Sequence, residues 1–250
     1  MFVSLSKAFD AFSRRPFNFV WGSLLFLLFI AVVLLASLGI FMIYFMIASA
    51  FNIQMQMDSI PTLIALGIVA LVFLFLADGL NGSLAMTYKR ALSREKVSLM
   101  SFYTYAVRVA PKMFLITSIR DLVWLLLAAP FILVYVYVLN GAAYMDIVIG
   151  AIVLFITFVV HALFTPALIS AGAGNSGVYG AMQQGFNVLR KRHINLIGAY
   201  AMFSIAWVLN FIPLLNLFSL FFLYPVAYSA LVMMCEGTGA LRNQQQMDED

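Results

Sequence analysis

Six long apolar runs, each closed off by charge or by a turn, constrain this chain more than any motif in it. The runs are Phe17 to Ala50, Ile60 to Met86, Met113 to Leu139, Ala142 to Ser170, Ile194 to Phe211 and Leu214 to Cys235. A helix crossing a bilayer needs about 20 mainly apolar residues, so the pattern predicts an all-α, polytopic bundle of six transmembrane helices. The runs are apolar all round, as lipid-bathed helices are. Composition agrees: 64% of residues are hydrophobic and 10% are charged. A soluble domain carries about 25% charged residues to keep its surface wet. Residues 1–240 then form one transmembrane domain and 241–250 an acidic, polar cytosolic tail.

Lysine and arginine set the orientation. Lys7, Arg14 and Arg15 precede the first run. Lys89, Arg90, Arg94, Lys96, Arg108 and Lys112 separate the second from the third. Arg190, Lys191 and Arg192 separate the fourth from the fifth, and Arg242 follows the sixth. All thirteen fall on one side, while the other carries only Asp58 and Asp146. The expected placement is a cell-membrane protein with both termini in the cytosol. The first run follows Arg14-Arg15 and ends in Ala48-Ser-Ala50, a cleavage-like triplet. It is more than twice the length of a signal peptide's core of about 7–15 residues, so it reads as an uncleaved anchor. The single cysteine, Cys235, excludes an internal disulfide. It is compatible with palmitoylation or with an inert small residue.

Three cytosolic stretches share a plan: an amphipathic segment, a basic or proline elbow, then an outward and an inward run. Leu5, Ala8, Phe9 and Phe12 form the first apolar stripe; Leu99, Phe102, Tyr103 and Ala106 the second; Val178, Ala181, Met182 and Gly185 the third. The elbows are Pro16, Pro111 and His193. Such stripes suit helices lying in the headgroup plane, and also suit helices packed on the end of the bundle. The layout Phe9 to Arg14-Arg15-Pro16, Asp78-Gly79 before Lys89-Arg90, and Tyr224-Pro225 resembles a group of six-span membrane families. These are uncharacterised prokaryotic, largely archaeal families related to the membrane domain of glycerophosphodiester phosphodiesterases. The resemblance spans almost the whole chain as a pattern of runs and elbows. It implies a helical membrane fold and no established activity; without the phosphodiesterase catalytic domain, no hydrolytic function carries over.

Chemical motifs do not survive their context. Gly172-Ala-Gly174-Asn-Ser-Gly177 spells G-x-G-x-x-G but follows a membrane run, with no acidic residue until Glu236; a dinucleotide site needs a preceding strand and an acid about 20 positions on. Ser93-Arg-Glu-Lys96 and Ser4-Leu-Ser-Lys7 match S-x-x-K without its companion motifs. Asn81-Gly-Ser83 is a glycosylation sequon on the cytosolic side of the second run. His161 and His193 lack ligand spacing, so neither a metal nor any other cofactor is expected. The basic clusters lack a recognition module for nucleic acid. Anionic lipid headgroups are the simpler partner at about 1 kcal/mol per cation. Their expected contacts are Arg14, Arg15, Lys89, Arg90, Arg108, Lys112, Arg190, Lys191 and Arg192. A membrane-protein partner or a homo-oligomer fits the same face.

Four ionisable residues remain inside the runs: Asp78, Arg120, Asp121 and His161. At about 1.5 Å of rise per residue, all four lie at similar depth in the cytosolic half. Charges near a helix centre cost about 2.5–3.5 kcal/mol each on insertion scales, so Arg120 needs a partner. Neighbours on a helix point about 100° apart, which favours Asp78 over Asp121 for that role. The cluster reads either as an ion pair that fixes helix order or as a proton or ion relay. The expected function is accordingly a non-enzymatic membrane-organising or accessory protein, the alternative being a small permease or channel.

Overall fold

The structure, a computed structural model, describes residues 2–50, 60–139, 144–174, 177–209, 212–213 and 215–236. The acidic tail at 241–250, Asp58 and part of the turn between the last two runs lie outside the described residues. Among the described residues the fold is all helical. The order is α1 (Phe2–Arg14), α2 (Pro16–Ala50), α3 (Ile60–Leu92), α4 (Leu99–Val134), α5 (Met145–Ala173), α6 (Val178–Leu209), α7 (Leu215–Phe218) and α8 (Tyr224–Glu236). Wide π-helical turns extend α4 through Tyr135–Leu139 and join α7 to α8 through Ser219–Leu223. The second of these sits just before Pro225, which has no N–H to continue the ladder.

Five stretches are long and apolar enough to cross a membrane: Pro16–Ala50, Thr62–Leu92, Leu99–Val138, Met145–Ala173 and Leu215–Cys235. The expected fifth run, inside α6, is not among them. Arg192 interrupts α6 with non-helical backbone (φ −140°, ψ 27°). Beyond that kink the helix continues to Leu209.

The three amphipathic stretches meet their spans differently. The first is a separate helix, α1. The second is the opening of α4, which runs on through Pro111. The third is the first half of α6, up to the kink at Arg192. The stripes that the sequence assigns to acyl chains or to the bundle end are covered by protein in part, with Phe9 and Leu99 left exposed. Ala8, Phe102, Ala106, Ala181 and Gly185 are buried, and Phe12 packs edge-on against Phe222 with ring centroids 5.2 Å apart. Small side chains on these stripes permit that approach.

Glycine sets the tightest helix contacts. A Cβ on Gly79 would sit 2.4 Å from the Ala106 carbonyl oxygen, and one on Gly172 would sit 2.7 Å from the Gly82 Cα. Small residues at such crossings give membrane helices the van der Waals contact that drives their association. The last helix is the most enclosed, against the expectation of an all-round lipid face: Val226 to Val232 is buried without a break. Around it, Phe203 lies 5.1 Å from Tyr224 and 5.6 Å from Tyr228, and Phe19 stacks on Tyr88. Tyr88 shares a hydrogen bond with Ser23 (3.0 Å), whose hydroxyl also reaches the Leu220 carbonyl (2.9 Å).

Candidate functional site

The glycine contacts between α3 and α4 decide what Asp78 meets. With Gly79 and Gly82 pressed on Ala106, Ala110 and Val109, the next outward residue of α3 faces Thr117. Thr117 Oγ1 donates to Asp78 Oδ1 at 3.0 Å, and both residues are buried. Asp78 therefore takes a hydroxyl as its partner.

Arg120 pairs with its own neighbour. Its Nη2 lies 2.7 Å from Asp121 Oδ1, and its Nε donates to the same oxygen at 2.8 Å. This corrects the expected Asp78–Arg120 bridge. The 100° offset between adjacent residues governs Cα–Cβ directions; a guanidinium on a flexible stem can still fold back across it. The Arg120 side chain is mostly enclosed, 18% exposed, while Asp121 is 56% exposed.

His161 is half-buried on α5, its Nδ1 donating to the Thr157 carbonyl at 2.9 Å. Thr157 in turn accepts from Trp124 Nε1 of α4 at 2.8 Å and donates to the Val153 carbonyl. Arg120 lies within electrostatic reach of Asp78, His161 and, from α6, Tyr200. Four helices thus converge, and their hydrogen bonds join them two at a time: Asp78 to Thr117 across α3 and α4, Trp124 to Thr157 across α4 and α5. Sequence reasoning missed Thr117, Trp124, Thr157 and Tyr200; threonines and aromatics abound in apolar helices and carry no distinguishing signal there. Among the described residues no three His, Cys, Asp or Glu side chains come together as a metal site.

The basic residues divide into two sets. Lys89 Nζ donates to the Ala173 carbonyl at 3.1 Å and Lys112 Nζ to the Gly174 carbonyl at 3.0 Å. Beside them, the Tyr105 hydroxyl donates to the Gly172 carbonyl at 2.6 Å. The last carbonyls of a helix have no partner within it, and residues 169–173 are buried. Two ammonium groups and a phenol from α3 and α4 satisfy that terminus and favour its negative dipole end. These two lysines, expected at lipid headgroups, are turned onto protein.

The other set faces out. Arg15, Arg108, Arg190 and Lys191 are exposed and Arg192 is half-buried. Arg14 pairs with Asp10 at 3.0 Å one turn back, both exposed, and Arg90 sits 3.7 Å from Glu95.

Comparison of the chain with protein-family models, with curated proteins and with solved structures finds no match.

Proposed function

We propose that this chain is a non-enzymatic, six-span membrane-organising or accessory protein whose cytosolic face, bearing both termini, binds anionic lipid. In this reading the second half of α6 spans with help from its neighbours. The three amphipathic stretches are repeats of one unit, and the relation to the phosphodiesterase-linked membrane families is one of architecture. The observation that carries the proposal lies on the three stretches themselves. Each carries an exposed apolar side chain with exposed cations a few positions along the chain: Phe9 and Arg15, Val107 and Arg108, Phe186 with Arg190 and Lys191. An apolar side chain with a cation close by suits the boundary between acyl chains and headgroups.

The test is lipid selectivity in nanodiscs of mixed anionic and zwitterionic lipid, read by native mass spectrometry after extraction. Wild type should enrich anionic lipid, and high salt should weaken the preference. Neutralising Arg190, Lys191 and Arg192 together should cut it on the order of a hundredfold, at about 1 kcal/mol per cation. No preference in wild type would refute the proposal.

One observation favours a second reading, a small permease: Arg120 is near Asp78, His161 and Tyr200 on four different helices. Proton flux in proteoliposomes that disappears in Asp78→Asn would establish it. The pairing of Asp78 with Thr117 across α3 and α4, and of Arg120 with its neighbour Asp121, argues for the structural role.

A further inference from the structure

The segment after α3 builds a groove that the proposed lipid-binding face does not use. Arg94 adopts left-handed backbone (φ 66°), and the Glu95 N–H reaches back to the Arg90 carbonyl at 2.8 Å, which closes the helix and reverses the chain. The reversal carries Val97 to α2, where the Trp21 Nε1 donates to its carbonyl at 3.0 Å. A groove of about 320 Å³ lies between this turn and α2, a volume at the lower end of small-ligand sites. Phe17, Trp21 and Leu24 form one wall, Ala91 lines it from α3, and Asn18, Thr87, Glu95 and Lys96 are its polar lining.

Its chemistry is divided. The wall is apolar and open: Phe17 is 84% exposed and Leu24 is 42% exposed. The track continues along α2 to Leu28, one turn further and 48% exposed. Lys96 is the cation in the lining, exposed and outside the salt bridges that Asp10, Glu95 and Asp121 make among the described residues. Glu95, the neighbouring carboxylate, lies within ion-pair distance of Arg90. An indole fixed by a hydrogen bond at the foot of an apolar span is the side chain expected at a membrane interface. A long apolar track that begins at a cation and an amide matches a phosphate with an acyl chain attached.

We propose that this groove holds one phospholipid of the cytosolic leaflet, its phosphate at Lys96 and Asn18 and one chain along Trp21, Leu24 and Leu28. The site rests on the proposed orientation, and not on any preference for anionic headgroups, since every phospholipid brings the phosphate. Wild type, Ala91→Phe and Lys96→Glu would be reconstituted as full chains in phosphatidylcholine nanodiscs. Each would then be extracted into mild detergent and weighed by native mass spectrometry. Wild type should keep one phosphatidylcholine, Ala91→Phe should lose it by filling the groove, and Lys96→Glu should lower its occupancy at least fivefold. A wild type that keeps none, or an Ala91→Phe variant that keeps as much, overturns the site. If Ala91→Phe does not fold, Lys96→Glu decides alone, because its side chain is exposed; unchanged retention then refutes the proposal. Wild type that keeps phosphatidylcholine yet shows no anionic preference would refute the lipid-selectivity reading and leave this site standing.

Discussion

Thr117 donates its hydroxyl to the buried Asp78 carboxylate across the α3–α4 contact, 3.0 Å away, and it does so where Gly79 brings the two backbones together. Interhelical hydrogen bonds in membranes contribute about 0.6–1.7 kcal/mol. Thr117→Val should lower stability by about that amount, read as earlier heat-induced loss of the monodisperse peak in detergent. Asp78→Asn should cost less, because an amide oxygen accepts the same bond. The reverse order would mean that the carboxylate's charge matters more than its hydrogen bond, and would restore Arg120 as its partner.

The lysines at the end of α5 separate structural from surface charge. Lys89→Met and Lys112→Met each remove a charge-assisted bond to a terminal carbonyl, worth about 1.5–3 kcal/mol. Each variant should melt earlier and leave the lipid preference in nanodiscs unchanged. Neutralising Arg190 and Lys191 should do the opposite, since both are exposed. A pair of lysine variants with normal melting and altered lipid preference would return them to the headgroups.

Those same lysines show what a sequence can carry here. The long apolar helices were legible because burial in lipid leaves a run of about 20 residues with little else in it. The fifth run was read the same way, but α6 bends at Arg192 and is not among the described helices long and apolar enough to span. Counting cations by side assigned Lys89 and Lys112 to the headgroups, because the count is blind to a side chain that turns inward to a helix end. The partner of Asp78 was hidden for a related reason. Opposite charges announce themselves in a sequence, whereas Thr117 is one hydroxyl among many, selected only by the register that Gly79 and Gly82 impose. The small stripe residues Ala8, Ala106 and Ala181 were visible, but nothing local says whether a small apolar face meets lipid or another helix.

Glycine substitutions should grade the packing. A Cβ at position 79 would lie 2.4 Å from a backbone oxygen, which cannot move aside as a side-chain end can. Gly79→Ala should destabilise by about 1–3 kcal/mol or more, as overpacking does. Gly67→Ala, with nothing within 4 Å, should leave melting unchanged or raise it slightly, alanine being the better helix former. Equal effects at the two positions would mean that α3 and α4 do not approach closely at Gly79.

The turn after α3 offers a gain in stability with its own control. Arg94 holds left-handed backbone at φ 66°, a conformation that costs a residue with a Cβ about 1–2 kcal/mol. The Arg94 and Glu95 N–H groups bond back to the Ala91 and Arg90 carbonyls, the pattern that glycine commonly completes at a helix end. Arg94→Gly should therefore relieve the strain and keep both bonds. Glycine's extra freedom in the unfolded chain takes back about 0.4–1 kcal/mol, which leaves a net gain of about 0.5 kcal/mol or slightly more. Arg94→Ala removes the same guanidinium but retains a Cβ at positive φ, so it should bring no such gain. Thermal unfolding of the two variants side by side isolates the backbone: if alanine stabilises as much as glycine, the gain comes from removing charge in a basic turn and the strain at Arg94 is negligible.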